Sequence, residues 1–376
     1  MAKRGNHQGS IYKRADGRWA GTIELGWQDG KRRRKTFYAG TRQEVRGHLN
    51  RAIEKQQNGL PVQSGRLTVA QFLECWLAES VKPKVRPRTF QSYDELVRVH
   101  LAPGLGRTRL NDLTPRDVQR LINRKLNAGL SPRRVQYIHA VLRRALGRAE
   151  EWGEVERNVA KLVDAPSVIQ REIKPFSPDQ ARTFIQAIKG DRLEGLYTLG
   201  LTVGLRQAEL LGLSWSDINL QEHQITIRTT LQLIEGEYRF VEPKSARSRR
   251  TLVLPEIAFE ALKMHRGEQL AAKLKAGERW HASDLVFTSR YGTPINRHNL
   301  TRDYKSLLKR VGLPPLRFHD LRHTAASLFL AQNVQPRDLM EILGHSQISL
   351  TMNTYSHVMY PALQEAARRM DSILTG

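Results

Sequence analysis

The sequence predicts a multidomain α+β protein. It has a small three-stranded sheet plus helix at the N-terminus, an all-helical middle domain, and a mainly helical last domain with a small antiparallel sheet. Three observations carry this. Short runs rich in Ile, Thr, Trp, Phe and Tyr alternate with turn pairs over the first forty residues. A nearly continuous helical pattern fills residues 67–165, and helices and strands mix beyond it. Two polar, proline-containing stretches separate these parts. The divisions are residues 1–59, a linker at 60–66, residues 67–165, a linker at 166–175, and residues 176–376.

The elements follow in order. Ser10–Tyr12, Trp19–Gly26 and Arg33–Tyr38 read as strands, with Asp16-Gly17 and Asp29-Gly30 as hairpin turns. Thr41 with Glu44 forms a capping-box pattern for a helix that Asn58-Gly59 would stop. In the middle segment Thr68 caps a helix carrying Phe72, Leu73, Trp76 and Leu77, and Arg88-Thr89 opens a second through Tyr93, Leu96 and Val97. Thr114-Pro115 and Ser131-Pro132 each pair an N-cap with an N1 proline. In the last segment Ser177-Pro178 starts a helix, and a longer helical region is expected to run to Leu213. Gln224–Leu233 and Tyr238–Leu254 read as strands, the second interrupted by a basic turn. Helices fill most of the remainder, apart from a short run at Asp284–Ser289.

The 376 residues carry a net charge of +24. That charge is spread: +9 over residues 1–65, +8 over 66–170 and +7 over 171–376. Several basic surfaces along one chain fit a polyanion partner. A mean hydropathy of −0.51 and the lack of a long uncharged apolar run exclude a transmembrane helix, so no membrane role is expected. No apolar stretch follows the basic residues of the first ten positions, which argues against a secretory signal and for the cytoplasm. The single cysteine, Cys75, excludes a disulfide framework and a cysteine-based zinc finger.

Two groups of basic residues are candidates for DNA contact. Lys31, Arg32, Arg33, Arg34 and Lys35 lie along the third strand, where aromatic and basic residues interleave. A solvated edge explains such a run, and insertion into a major groove fits at least as well. Arg133, Arg134, Arg143 and Arg144 flank the apolar stripe of the Ser131-Pro132 helix. They suit either a solvated face or a helix lying along phosphates.

Four stretches of the last segment stand out: TVGLRQAELLGLSWSDI, EPKSARSRR, FHDLRHTAASLFL and ILGHSQISLTMNTYSHV. Arg206 lies among apolar residues, where a guanidinium needs a partner, and Glu209 three residues on could supply it. Lys244 sits in a turn between strands. His319 and His323 are four apart, as a zinc pair would be, but a third ligand and an acidic residue at the right step are missing. His319 with Arg322 suits a phosphate better than a metal. The chain shows no P-loop, no GxGxxG after a strand and no acidic Mg²⁺ cluster, so neither metal nor other cofactor is expected. What remains are arginines, a lysine, histidines and a tyrosine, a set suited to covalent phosphodiester chemistry.

The ordered set Arg206, Lys244, His319-x-x-Arg322, His345 and Tyr355 resembles the tyrosine recombinase, or phage integrase, family. The first arginine lies in a GLRxxELLxL stretch from Gly204 to Leu213. The second histidine and the tyrosine lie in LGHS and TxxTYSH stretches at Leu343–Ser346 and Thr351–His357. The middle helical segment resembles the family's core-binding, SAM-like domain. In pattern and charge the first resembles the arm-binding domain of integrases such as that of phage lambda. One departure is Asn158-Val159-Ala160, where relatives often have Asn-Pro-Ala, a change bearing on linker stiffness and not on chemistry.

The resemblance implies a site-specific recombinase that integrates, and also excises, a phage or mobile element. Tyr355 would be the nucleophile, Arg206 and Arg322 the phosphate clamp, and Lys244 the acid for the leaving 5′-oxygen. His319 would assist the nucleophile, His345 would hydrogen-bond the phosphate, and Glu209 would orient Arg206. Implied partners are double-stranded DNA at core and arm sites, three further copies of the chain, a host DNA-bending protein and a directionality factor. Two alternatives use similar surfaces: relaxation of single DNA molecules by a type IB topoisomerase, and regulation by a non-catalytic DNA-binding protein.

Overall fold

The computed structural model describes residues 9–28, 31–57, 67–169, 174–242, 249–344, 368 and 370–374. The chain forms two compact units, residues 1–170 and 171–376. The expected turns Asp29-Gly30 and Asn58-Gly59 and the linker at 60–66 lie outside the described residues.

The first unit begins with the antiparallel sheet β1 (Ser10–Lys13), β2 (Trp19–Gln28) and β3 (Lys31–Ala39). The Asp16-Gly17 turn closes the β1–β2 hairpin, and a bulge between Glu24 and Trp27 shifts the β2–β3 register. Helix α1 (Arg42–Gln57) starts where the capping box places it: Thr41 N donates to Glu44 Oε2, and Glu44 N to Thr41 Oγ1, both at 3.2 Å. Its Leu49 and Ala52 bury Ile23 beside Ile11, Leu25 and Phe37, so odd-numbered sheet residues face the helix and even-numbered ones face away, except beyond the β2 bulge, where Trp27 joins Arg32 on the open face.

The helical part of this unit comprises α2 (Val69–Cys75), α3 (Pro87–Leu96), α4 (Ala102–Leu105), α5 (Pro115–Asn127) and α6 (Pro132–Glu151). Thr68 with Gln71 and Thr114 with Asp117 form reciprocal caps, and Ser131 accepts from the Arg134 amide. Helix α3 starts at Pro87 with Arg86 as its N-cap, one turn-position earlier than the expected Arg88-Thr89, because proline presets the first helical φ. Phe72, Leu73, Trp76, Leu96, Ile138 and Leu142 fill one core, each buried leucine or phenylalanine contributing about 1.5–3 kcal/mol. Asn158 donates to the Arg143 carbonyl at 2.7 Å and accepts from Ala160 N. Its neighbours Val159 and Ala160 join the core. At this position asparagine therefore anchors the chain to α6 without a following proline.

The second unit begins with α7 (Pro178–Ala187), α8 (Glu194–Thr202) and α9 (Gln207–Leu211). The continuous helix expected to reach Leu213 does not form. The chain breaks between α8 and α9 at Gly204, which adopts φ +68°. A Cβ there would lie 2.9 Å from Leu343 Cδ2, so glycine alone admits this approach. Strands β4 (Ile218–Asn219), β5 (Gln224–Ile227) and β8 (Arg250–Val253) make one antiparallel sheet. Strands β6 (Thr230–Ile234) and β7 (Glu237–Val241) make a separate hairpin. The run Gln224–Leu233, read as one strand, is thus split between two sheets. Asp284–Ser289 makes only the single bridges Ser214–Leu285 and Thr288–Pro294.

Helices α10 (Glu256–Ala276), α11 (Arg297–Arg310), α12 (Asp320–Ala331) and α13 (Pro336–Leu343) complete this unit. Phe184, Tyr197, Tyr304 and Phe318 form an aromatic centre with ring centroids 5.5–6.3 Å apart. This core seats α8 and α12 side by side and so fixes the site below. Among the described residues no helix is long and apolar enough to cross a membrane.

Candidate active site

The break at Gly204 makes Arg206 the N-cap of α9 instead of a mid-helix residue. Its side chain stays about a third exposed, with the guanidinium Nη1 donating to Glu209 Oε1 at 2.7 Å and Nη2 donating to the Gly344 carbonyl at 2.7 Å. The Arg206 amide donates to Glu209 Oε2 at 2.9 Å. The expected partnership of Arg206 and Glu209 is therefore formed.

Arg322, on the first turn of α12, is 2% exposed. Nη1 donates to the Gly204 carbonyl at 2.8 Å and Nη2 to the Leu343 carbonyl. The two arginines thus seat on consecutive carbonyls at the end of α13. Gly344 closes that helix in the left-handed conformation, φ +63°.

His319 is the N-cap of α12, and its ring meets the His323 ring edge-on at 5.5 Å between centroids. Burial, then the charges of His323 and Arg322, push its pKa down to about 4, so it is neutral at pH 7. Burial pulls His323 down as well. A neutral imidazole beside a guanidinium can accept a proton. The sign for stability follows from linkage. The unfolded chain takes up a proton below about pH 6.5, whereas folded His319 resists it until about pH 4. Stability should fall as pH drops through that window, and His319→Asn should flatten part of the fall. Urea midpoints at pH 7 and pH 5 check this; an unchanged difference for the variant would refute it.

Glu209, 1% exposed, is ionised despite its surroundings. Burial opposes its charge, but Arg250 first and Arg206 second outweigh this and hold the carboxyl below the usual range. Arg250 is the residue that sequence reasoning missed. On β8 it shares a face with inward-facing Leu252, two residues on, so period-two reading of Arg250–Val253 would have flagged a charged side chain pointing inward.

Lys244, His345 and Tyr355 lie outside the described residues. The residues flanking 243–248 are bonded to one another through Arg249 Nη2 and Glu242 Oε1.

The basic groups of the first unit divide further. Period two puts Arg32 and Arg34 on the open face of the sheet, both near Glu24, with Arg32 stacked on exposed Trp27. Lys35 pairs with Ile23 across the strands and so lies on the α1 side, its ammonium over Phe37. Arg33 shares its parity, and the Lys31 side chain lies outside the described residues. On α6, Arg133 and Arg144 share an exposed face with Tyr137 and Ala140, at steps of four, three and four. Arg134 is half-buried against Glu95 at 2.6 Å, which suits a structural role. Arg143 is exposed but projects off that stripe.

Two arginines seated on successive carbonyls at the end of α13, one of them paired to a buried glutamate, form the kind of arrangement that the tyrosine recombinase resemblance implies. Comparison with known proteins agrees. Residues 174–361 match the phage integrase family, and residues 68–126 match the N-terminal SAM-like domain of phage integrases. A "tyrosine recombinase XerC-like" protein of Caldanaerobacter subterraneus is 31% identical over 382 residues, covering 96% of each chain. In fold, the chain is similar to the Tn1549 transposon integrase in complex with a circular intermediate DNA. That likeness has a TM-score of 0.69 and 21% identity, over 81% of this chain and 99% of that one. It is also similar to a lambda integrase tetramer bound to a Holliday junction, with a TM-score of 0.58 and 16% identity, over 94% of this chain and 96% of that one. The chain belongs to the phage integrase family of tyrosine recombinases, enzymes that cut and rejoin DNA.

Proposed function

We propose that this chain integrates and excises a phage or other mobile element, with Tyr355 as nucleophile and Arg206 and Arg322 as the phosphate clamp. One observation supports this most: both arginines, distant in sequence, bind the Leu343 and Gly344 carbonyls, the two residues that precede His345 in the stretch leading to Tyr355. The clamp therefore assembles beside the segment that carries the nucleophile.

In the reaction, the Tyr355 oxygen attacks the scissile phosphorus and the bond to the 5′-oxygen breaks. The tyrosine proton passes toward His319, which burial keeps neutral at pH 7. Lys244 protonates the departing 5′-oxygen, and His345 hydrogen-bonds the phosphate. Arg206 and Arg322 offer forked donors to the non-bridging oxygens. The phosphotyrosine keeps the bond energy, so a 5′-hydroxyl from another strand reverses the step. Four copies exchange strands in pairs through a Holliday junction, in the cytoplasm of a bacterial host. A host DNA-bending protein and a directionality factor bias the outcome.

Residues 67–165 form the core-site domain, where Arg133, Tyr137, Ala140 and Arg144 present one face to DNA. Residues 1–59 form an arm-site module that uses Arg32, Arg34, Tyr12 and Tyr38 on its open sheet face. Tethering the two raises the local concentration of the second site without adding contacts at the first. A fragment beginning near Ser64 should bind and cleave core duplex yet fail to join two sites that need arm sequences. The isolated module should bind a separate short duplex with affinity that falls steeply as salt rises. A full-length footprint confined to the core would refute the arm assignment. Relaxation of one plasmid without joining of two sites would refute recombination.

A further inference from the structure

Arg250 opens β8, following Arg249, and its side chain is only 7% exposed. Its Nε donates to the Ile342 carbonyl at 2.7 Å. Its terminal nitrogens fork onto Glu209, Nη1 to Oε1 at 3.3 Å and Nη2 to Oε2 at 3.1 Å. Each oxygen of Glu209 also accepts from Arg206, Oε1 from Nη1 and Oε2 from the backbone amide. One buried carboxylate is therefore shared by two guanidinium groups on different elements. Gly344 completes the fit: a Cβ there would lie 2.9 Å from Arg250 Nη1, so the end of α13 lies flat on the guanidinium.

Resting on the assignment of Arg206 and Arg322 to the phosphate clamp, we infer that Arg250 is a positioning residue that keeps Arg206 electrically available to the phosphate. By sharing Glu209, Arg250 prevents Arg206 and that carboxylate from forming a self-sufficient neutral pair. With Arg250 the three arginines and Glu209 carry a net +2, and without it +1. The attacked phosphate gathers roughly two negative charges on its non-bridging oxygens, so the higher value complements the transition state better. The bond from Nε to Ile342 serves the same end mechanically. It fixes the helix terminus whose next two carbonyls seat Arg322 and Arg206.

The test uses full-length protein and the cleavable core duplex found by covalent-adduct capture, with single-turnover cleavage as readout. R250M keeps the volume and removes the charge; cleavage should fall about tenfold to a hundredfold, the range typical of supporting groups, with core-site affinity unchanged. R250K keeps the charge but loses the fork, and should fall between wild type and R250M. E209Q/R250M restores the net charge and should cleave faster than R250M. A scissile methylphosphonate lacks one negative charge, so the gap between wild type and R250M should shrink on it. A purely structural role for Arg250 would move neither of the last two readouts. Equal defects on both substrates, or a double variant no faster than R250M, would overturn the inference. Should R250M fail to fold, R250Q carries the same comparison. Failure of wild type to cleave at all would strike the clamp assignment itself, and this inference with it. Wild-type cleavage with equal defects overturns Arg250's role alone.

Discussion

Tyr355→Phe should eliminate covalent protein–DNA adducts while leaving binding to the core site intact. The substitution removes one oxygen and keeps the ring, so packing and DNA contacts persist while the bond-forming atom is gone. Loss of a nucleophile costs on the order of 10⁶-fold in comparable covalent mechanisms, which places cleavage below detection. Trapping on a nicked core duplex followed by denaturing electrophoresis reads the adduct, and a mobility shift reads binding. An adduct formed by the variant would move the nucleophile elsewhere, with Tyr360 the nearest candidate. The measurement also separates the enzyme from a DNA-binding regulator, for which the substitution would change nothing.

Local rules made much of the fold legible, and long-range contacts decided the rest. Thr41, Thr68, Thr114, Ser131 and Ser177 each marked a helix start because a cap is satisfied within three residues of itself. The strands of the first sheet announced themselves by β-branched and aromatic runs between turns. The break at Gly204 was not legible, since TLGLTVGLRQAELLGL has a helical pattern throughout. Its geometry is set by Leu343, which arrives from α13. The division of Gln224–Leu233 between two sheets likewise depends on which partners β5 and β6 meet, not on their composition.

At the site, motif spacing identified Arg206, Glu209, His319 and Arg322, and these four do gather in the fold. The carbonyls that seat the arginines carry no side-chain signal, because any residue type supplies them. Arg250 was hidden for another reason. It stands among Arg247 and Arg249 in a run that reads as a basic turn, and only strand alternation distinguishes the inward member. The same alternation divides Lys31–Lys35 into two faces, so a run that looks like one stripe in sequence is not one on the sheet.

Lys244→Ala should slow cleavage of an ordinary core duplex by about 10²–10⁴-fold, the usual contribution of a general acid. An alkoxide is a poor leaving group in water-excluded surroundings, and without a donor the 5′-oxygen departs carrying its full charge. Replacing that bridging oxygen with sulfur changes the requirement, because a thiolate is stable near neutral pH and leaves without a proton. The variant should therefore approach the wild-type rate on the sulfur-bridged duplex while remaining slow on the normal one. Arg247 and Arg249 make the control, since they share the run with Lys244 but carry a guanidinium in place of an amine. Their alanine variants should show equal defects on both duplexes, consistent with phosphate contact. If sulfur fails to rescue Lys244→Ala, the proton comes from another group and the lysine serves binding alone. If sulfur instead rescues an arginine variant, the assignment within this run must be exchanged.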